Sequence, residues 1–199
     1  MKYKVIYADP PWSYDGGVMK TKTGDSTVDL QYDTMTDEQL LNFPIDEYAD
    51  KDCLLFMWVT VPKLPLGIKL LDKWGFTYKT SLVWIKQYNK RGGHGQGIYF
   101  MIQTEYLLMA TRGKIQQFHS GEDNYRFAEW RGHSTKPQQF RTLIENNTKN
   151  LEPKIELWAR IKAVGWDVFG NDHKLNHKCL ESFCNVDSKT TQQKFGDVR

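Results

Sequence analysis

Short apolar runs alternate along this chain with stretches of helical period. Val5-Ile6-Tyr7-Ala8 is a β-rich run that stops at Asp9 and reads as a first strand. A polar segment from Ser13 to Thr34, rich in Gly, Thr, Lys and Asp, follows it; a connection that long inside a compact domain is usually functional or mobile. Thr36 with Gln39 fits a capping box opening a short helix toward Phe43. Leu54-Leu55-Phe56-Met57-Trp58-Val59 is continuously apolar, as in a strand buried on both faces. Leu64 to Trp74 has helical spacing and stops at Gly75, and Tyr78 to Lys86 reads as another strand. Residues 87 to 97 form a basic, glycine-rich loop, Glu105 to Ala110 a strand, and 112 to 136 a polar, irregular stretch. Pro137 suits the first turn of a helix running to about Asn147. Lys154 to Trp158 and Trp166 to Phe169 are the last two strands. The pattern predicts one α/β domain over residues 1–172 and a polar tail over 173–199, with no repeat and no linker.

Composition narrows the class without naming a function. The 199 residues carry 40% hydrophobic and 26% charged side chains, ordinary for a globular protein with a sizeable core. Aromatic content of 14%, including 7 Trp, suits the stacking of flat ligands, although a large core accounts for it equally. A net charge of +3 permits an anionic partner but does not demand one. Neither a transmembrane span nor a signal-peptide core is visible, and three cysteines (Cys53, Cys179, Cys184) make no disulfide framework. The expected compartment is the cytoplasm.

The chemistry concentrates at Asp9-Pro10-Pro11-Trp12. Each proline lacks an N–H, fixes φ, and pushes the residue before it toward extended geometry. The strand therefore ends in a rigid lip, offering the Asp9 carboxylate and the Pro10 carbonyl as acceptors beside the Trp12 ring. Two acceptors and an aromatic face suit a flat base with an exocyclic NH2 group. A proline-rich turn capped by Asp9, with Trp12 in the core, is the plainer alternative. At the other end of the domain, Asn171-Asp172 follows the last strand through Gly170. If the first and last strands lie centrally in one parallel sheet, both ends face the crevice where α/β sheets bind ligands. There Asn171 and Asp172 can meet ribose hydroxyls, or simply make an Asx turn.

These motifs resemble the N6-adenine methyltransferase family. That family includes the catalytic subunit of the eukaryotic messenger-RNA adenosine methyltransferase and small bacterial and phage DNA-modifying members. The resemblance runs in order from Asp9-Pro10-Pro11-Trp12 through Tyr32-Asp33-Thr34-Met35, Leu55 to Thr60, Trp74-Gly75-Phe76 and Val83-Trp84-Ile85-Lys86. It continues through Glu105 to Gly113, His133 to Pro137, Lys154 to Arg160 and Gly165 to Asp172. It implies a Rossmann-like fold with permuted motif order: a mostly parallel central sheet, helices on both faces, and S-adenosylmethionine as cofactor. By similarity, Asp9, Pro10, Pro11 and Trp12 receive the adenine, with Tyr32 and Trp84 lining that side. Asp9, Lys136, Trp158, Arg160 and Asn171 are expected at the cofactor, with Asp172 beside its ribose. Asp172 stands where relatives often carry Glu or Gln.

The implied activity is transfer of a methyl group to the N6 amine of adenine, in DNA rather than RNA because small members of the family modify bacterial and phage DNA. The host is then a bacterial or phage-infected cell, and relatives that work as homodimers or heterodimers make either assembly possible. An RNA adenosine methyltransferase and a catalytically silent nucleic-acid-binding subunit are the alternatives; the intact tetrapeptide with Lys136 and Asn171 argues against the latter. Lys90 and Arg91, in the glycine-rich loop, are candidate phosphate contacts. Gly92-Gly93-His94-Gly95-Gln96-Gly97 lacks the Lys-Ser/Thr pair and following helix of a nucleotide-phosphate loop. His173, His177, Cys179 and Cys184 match no standard zinc spacing, so no metal is expected.

Overall fold

The computed structural model describes residues 1–14, 34–88, 99–116, 118, 120–130, 135–159 and 162–170. Seven strands form one sheet: β1 (Tyr3–Ala8), β2 (Ala49–Thr60), β3 (Thr77–Gln87), β4 (Thr104–Arg112), β5 (Tyr125–Glu129), β6 (Lys154–Ala159) and β7 (Asp167–Gly170), in the spatial order β5-β3-β4-β2-β1-β6-β7. β1 pairs in parallel with β2 and β6, β6 with β7, and β3 with β5, whereas β4 runs antiparallel to both β2 and β3. The sheet is mostly parallel, as expected.

Helices cover both faces. On one, α1 (Asp37–Leu41), α2 (Ile45–Tyr48) and α3 (Leu64–Lys73) bury Leu40, Ile45, Leu70 and Leu71 against Ile6, Leu55 and Met57 of the sheet. On the other, α4 (Gln138–Asn147) buries Phe140 and Ile144 against Val5, Tyr7, Phe56 and Trp58. Alternation along β1 and β2 divides these sets, because successive side chains point to opposite faces. A strand apolar at every position, such as Leu54 to Val59, is therefore central and doubly covered.

The local signals behave as expected at several ends. Thr36 Oγ1 accepts from the Gln39 N–H at 3.1 Å while the Gln39 side chain accepts from the Thr36 N–H at 2.8 Å, a complete capping box. Gly75 ends α3 at φ +71, with its N–H on the Asp72 carbonyl and the Phe76 N–H on the Leu71 carbonyl. Cys53 is fully buried in β2, and burial pushes its thiol up to about 12.

Two expectations need correction. Residues 112 to 136 are not irregular throughout, since β5 forms within them at the sheet edge. Its Tyr-Arg-Phe-Ala-Glu sequence alternates exposed and half-covered positions, too short and too polar a run to stand out. The last strand, β7, is not central either: it occupies the opposite edge, with β6 between it and β1. Because β1, β6 and β7 are parallel, their C-terminal ends still share one rim.

At the foot of β4, Gly113 takes φ +67, and a Cβ there would lie 2.1 Å from the Lys51 carbonyl oxygen and 2.4 Å from Asp52 Oδ1. Backbone cannot retreat from backbone at that distance. Gly113→Ala is expected to lower the unfolding free energy by about 2–3 kcal/mol in urea titration, from left-handed strain plus the clash.

Candidate active site

The end of β1 fixes the lip. The Asp9 N–H continues the ladder to the Leu157 carbonyl at 3.3 Å, and the chain then turns, with the Trp12 N–H donating to the Pro10 carbonyl at 2.9 Å. The Met35 N–H donates to the Pro11 carbonyl at 2.8 Å, making an isolated parallel bridge between Trp12 and Met35. The Pro10 carbonyl, expected as an open acceptor, is thus already engaged by the Trp12 N–H. One lone pair is engaged within the lip, and Pro10 itself is buried.

Trp12 also departs from expectation. It is 5% exposed, packs in the core with Leu40 and Phe43, and donates its indole N–H to the Trp58 carbonyl at 3.3 Å. Its ring is the anchor that holds the lip against β2, not an open stacking face. Trp84 is likewise in the core at 2% exposure, its N–H on the Ala128 carbonyl at 3.0 Å and its ring edge-on to Trp58. Rather than lining a substrate surface, it supports Lys86, whose ammonium lies 4.9 Å from its ring centre.

Above these rings lies a chain of charges of alternating sign. Lys136 Nζ is 3.0 Å from Asp9 Oδ1 and 2.8 Å from Glu105 Oε1, and Lys86 Nζ is 3.0 Å from Glu105 Oε2. Glu105 is 4% exposed, and the Lys136 ammonium sits 5.4 Å over the Trp58 ring. Burial works against the charge on Glu105, yet Lys136 and Lys86 outweigh it and hold the carboxyl below its usual range. Burial likewise disfavours the Lys136 ammonium, but Asp9 and Glu105 raise it above the ordinary lysine value.

A cavity of about 710 Å³ opens beside this chain, bounded by Asp9, Lys136, Tyr7, Arg141, Glu156 and Trp158 and reaching the N-terminus of α4. Tyr7 and Glu156 are cross-strand neighbours on β1 and β6. Arg141, from α4, pairs with Glu156 and lies 5.2 Å from the Tyr7 ring and 5.5 Å from the Trp166 ring. Burial raises the Glu156 carboxyl and Arg141 opposes the shift. Arg141 Nη1 is buried with no hydrogen-bond partner. Trp158, expected at the cofactor, lines the cavity wall at φ +60, where the β6–β7 register slips between Leu157 and Ala159. A left-handed conformation at a bulky residue is strained and persists where surrounding structure imposes it, commonly at binding sites.

The structure therefore brings together Asp9, Pro10 and Lys136 and withdraws Trp12 and Trp84 into the core; Trp158 touches the cavity wall, but it too is buried, its ring stacked on Trp74. Tyr32, Lys90, Arg91, Arg160, Asn171 and Asp172 lie outside the described residues, as does the tail. Glu105, Lys86, Arg141 and Glu156 were not assigned roles from sequence. A legible signal existed for two of them: Glu105 and Glu156 are lone acids within otherwise apolar strands, where an unpaired charge is too costly to keep. Among the described residues no helix is long and apolar enough to cross a membrane.

Residues 3–172 match the profile of the MT-A70 family. The chain belongs to that family. It is 35% identical over 187 residues to the type II methyltransferase M.MunI of a Mycoplasma species, covering 85% of this chain and 77% of that protein. It is 32% identical over 179 residues to the human N(6)-adenosine-methyltransferase catalytic subunit METTL3, covering 85% of this chain but 28% of the relative. A Drosophila melanogaster MT-A70-like protein is 30% identical over 177 residues, again spanning little more than a quarter of the relative's length, 27%. The MT-A70 match encompasses every strand of the sheet and, with Asp9 and Lys136, both ends of the ion pair at the lip.

Lys136→Met leaves the buried Glu105 with Lys86 alone and the half-buried Asp9 without its lysine. The variant is expected to lose about 3 kcal/mol near neutral pH. A carboxyl held low in the folded state stabilises above its unfolded pKa, and that contribution fades as pH falls through the folded value. The gap between wild type and variant should therefore shrink on acidification below the usual carboxylate pKa, as denaturation measured from pH 3 to 7 will show.

Proposed function

We propose that the protein methylates the N6 amine of adenine in DNA, with S-adenosylmethionine as methyl donor. The observation that carries this reading is Asp9: a carboxylate at the C-terminal end of β1, fixed 3.0 Å from Lys136, on the rim of a 710 Å³ cavity.

The cavity suits that cofactor by size and by charge. Lys136 and Arg141 supply cations for a carboxylate, Asp9 and Glu156 supply anions for an ammonium and a sulfonium, and Arg141 Nη1 has a donor to spare. Trp158, Lys136 and Arg141 would hold it, with Arg160, Asn171 and Asp172 as further candidates. When bound, it supplies an electrophilic methyl on sulfur, which needs no further activation.

The protein's own work is on the nucleophile. Adenine's amine is a weak one because its lone pair is delocalised into the ring. Asp9 and the second lone pair of the Pro10 carbonyl accept its two hydrogens, favouring a pyramidal nitrogen with the lone pair freed. As a carbon–nitrogen bond forms and the carbon–sulfur bond breaks, positive charge grows on that nitrogen, and a fixed carboxylate beside it stabilises the transition state more than the ground state. Asp9 is also placed to take the proton that the methylated nitrogen sheds. Lys136 keeps the carboxylate in one orientation, so little reorganisation accompanies the reaction. In duplex DNA the target base must leave the stack to reach the lip.

DNA is favoured over RNA by the extent of the match to a type II methyltransferase, 77% of whose length this chain covers, against 28% of the human adenosine methyltransferase subunit. Incubation with labelled cofactor and matched DNA and RNA oligonucleotides, followed by nucleoside mass spectrometry, should yield N6-methyladenine from the DNA. Product from RNA alone would reverse the substrate assignment, and no heat of cofactor binding in calorimetry would indicate a silent subunit. Asp9→Ala should lower kcat by roughly 100- to 1000-fold, as single-turnover assays with saturating cofactor will show.

A further inference from the structure

We propose that the hydroxyl pair of Tyr14 and Thr60 reads the acceptor nitrogen of the adenine ring beside the target amine. The inference rests on the adenine reading above and adds the group that recognises the base edge.

Tyr14 comes two residues after Trp12, whose buried indole is pinned to the Trp58 carbonyl. The backbone from Asp9 to Tyr14 is therefore held, and Tyr14 is returned toward the end of β2. Its Oη lies 2.6 Å from Thr60 Oγ1. Lys63 braces the ring from 5.7 Å and is itself held 2.7 Å from Asp37. Thr60 is the last residue of β2 and stands opposite Glu105 on β4. Glu105 binds Lys136, and Lys136 binds Asp9, so the hydroxyl pair borders the charge chain that ends on the catalytic carboxylate. Both residues are half-buried, neither sealed in the core nor free in solvent.

The inventory of protons gives the pair its use. Two hydroxyls bring two O–H protons, and their mutual bond consumes one. The other is available to a ligand. Burial pushes the Tyr14 phenol up to about 12, so it keeps its proton throughout the physiological range. Of the neighbouring charged groups, Asp9 and Glu105 are acceptors and Lys136 and Lys86 are cations bound to those carboxylates; the hydroxyl pair is the neutral donor beside them. Adenine presents a ring acceptor on either side of its amine, N1 on one edge and N7 on the other. A base whose amine donates to Asp9 and Pro10 needs a neutral donor beside them, and the spare hydroxyl proton supplies it. A site built to hydrogen-bond a base edge rejects an analogue that leaves the site's donor unpaired.

The test is a cycle between protein and base. Duplexes carrying the mapped methylation site are prepared with adenine, 1-deazaadenine or 7-deazaadenine at the target. Wild type, Tyr14→Phe, Thr60→Val and the double variant are compared on kcat/KM. Replacing the recognised nitrogen by C–H should cost the wild type on the order of tenfold to a hundredfold. The double variant should lose a similar factor on adenine and nothing further on that same deaza base. Which deaza base shows this non-additivity identifies the edge. Cofactor affinity and thermal midpoint close to wild type in the double variant separate a reading defect from a folding one. If the single variants unfold, the wild-type comparison of the two deaza bases still decides: equal turnover on all three bases overturns the proposal. So do losses that multiply in the double variant, or a double variant as efficient as wild type on adenine. A wild-type protein that methylates adenine in no oligonucleotide refutes the activity itself, and the hydroxyl role with it.

Discussion

Four side chains of alternating charge, Asp9, Lys136, Glu105 and Lys86, tie together elements that are distant in sequence. Asp9 follows β1, Lys136 precedes α4, Glu105 lies in β4 and Lys86 in β3. None of the four tolerates its degree of burial alone, because removing a charge from water costs several kcal/mol unless partners compensate. The arrangement is therefore self-enforcing. The strands must end at one rim and the loop before α4 must cross that rim, or two carboxylates and two ammoniums are left stranded. The array that orients the Asp9 carboxylate is also what closes this part of the fold.

A second set of residues carries that array. Trp12, Trp58 and Trp84 are apolar in body and each places its indole N–H on a partner: the Trp58 carbonyl, the Tyr7 hydroxyl and the Ala128 carbonyl respectively. Trp58 and Trp84 meet edge-on at 6.2 Å, and both lie under lysine ammonium groups. Large rings that are both packed and hydrogen-bonded make a stiff floor. The richness in tryptophan thus serves the charged rim from beneath, and part of what looked like ligand-stacking surface is scaffold. Tyr7, Arg141 and Trp166 repeat the theme beside the cavity, where a guanidinium lies against two rings while pairing with Glu156.

Much of the frame was legible because its causes are local. The apolar runs at Val5 to Ala8 and Leu54 to Val59 announce doubly covered strands, Thr36 and Gln39 announce a helix start, and Gly75 a helix stop. The order of motifs, read as a series, points to the N6-adenine methyltransferase family. β5 was illegible because an edge strand half open to water needs no apolar run. The edge position of β7 was hidden for a different reason: the number of strands between β1 and β7 follows from pairing, which no single strand encodes.

The sequence by itself determined the strand that ends in Asp9, the rigidity that two prolines give it, the helix signals, and the family to which the chain belongs. Only the tertiary structure decided which side chains face the site. A tryptophan after a proline lip can stack on a base or anchor the lip, and its period and neighbours are the same in either case. The choice was made by the Trp58 carbonyl and the core around it, which belong to a strand some forty residues away. In the same way Glu105 and Lys86 carry no mark of their partnership with Asp9 along the chain. Charge pairing acts through space, and the distances that make it strong exist only once the sheet has brought four separate segments to one edge.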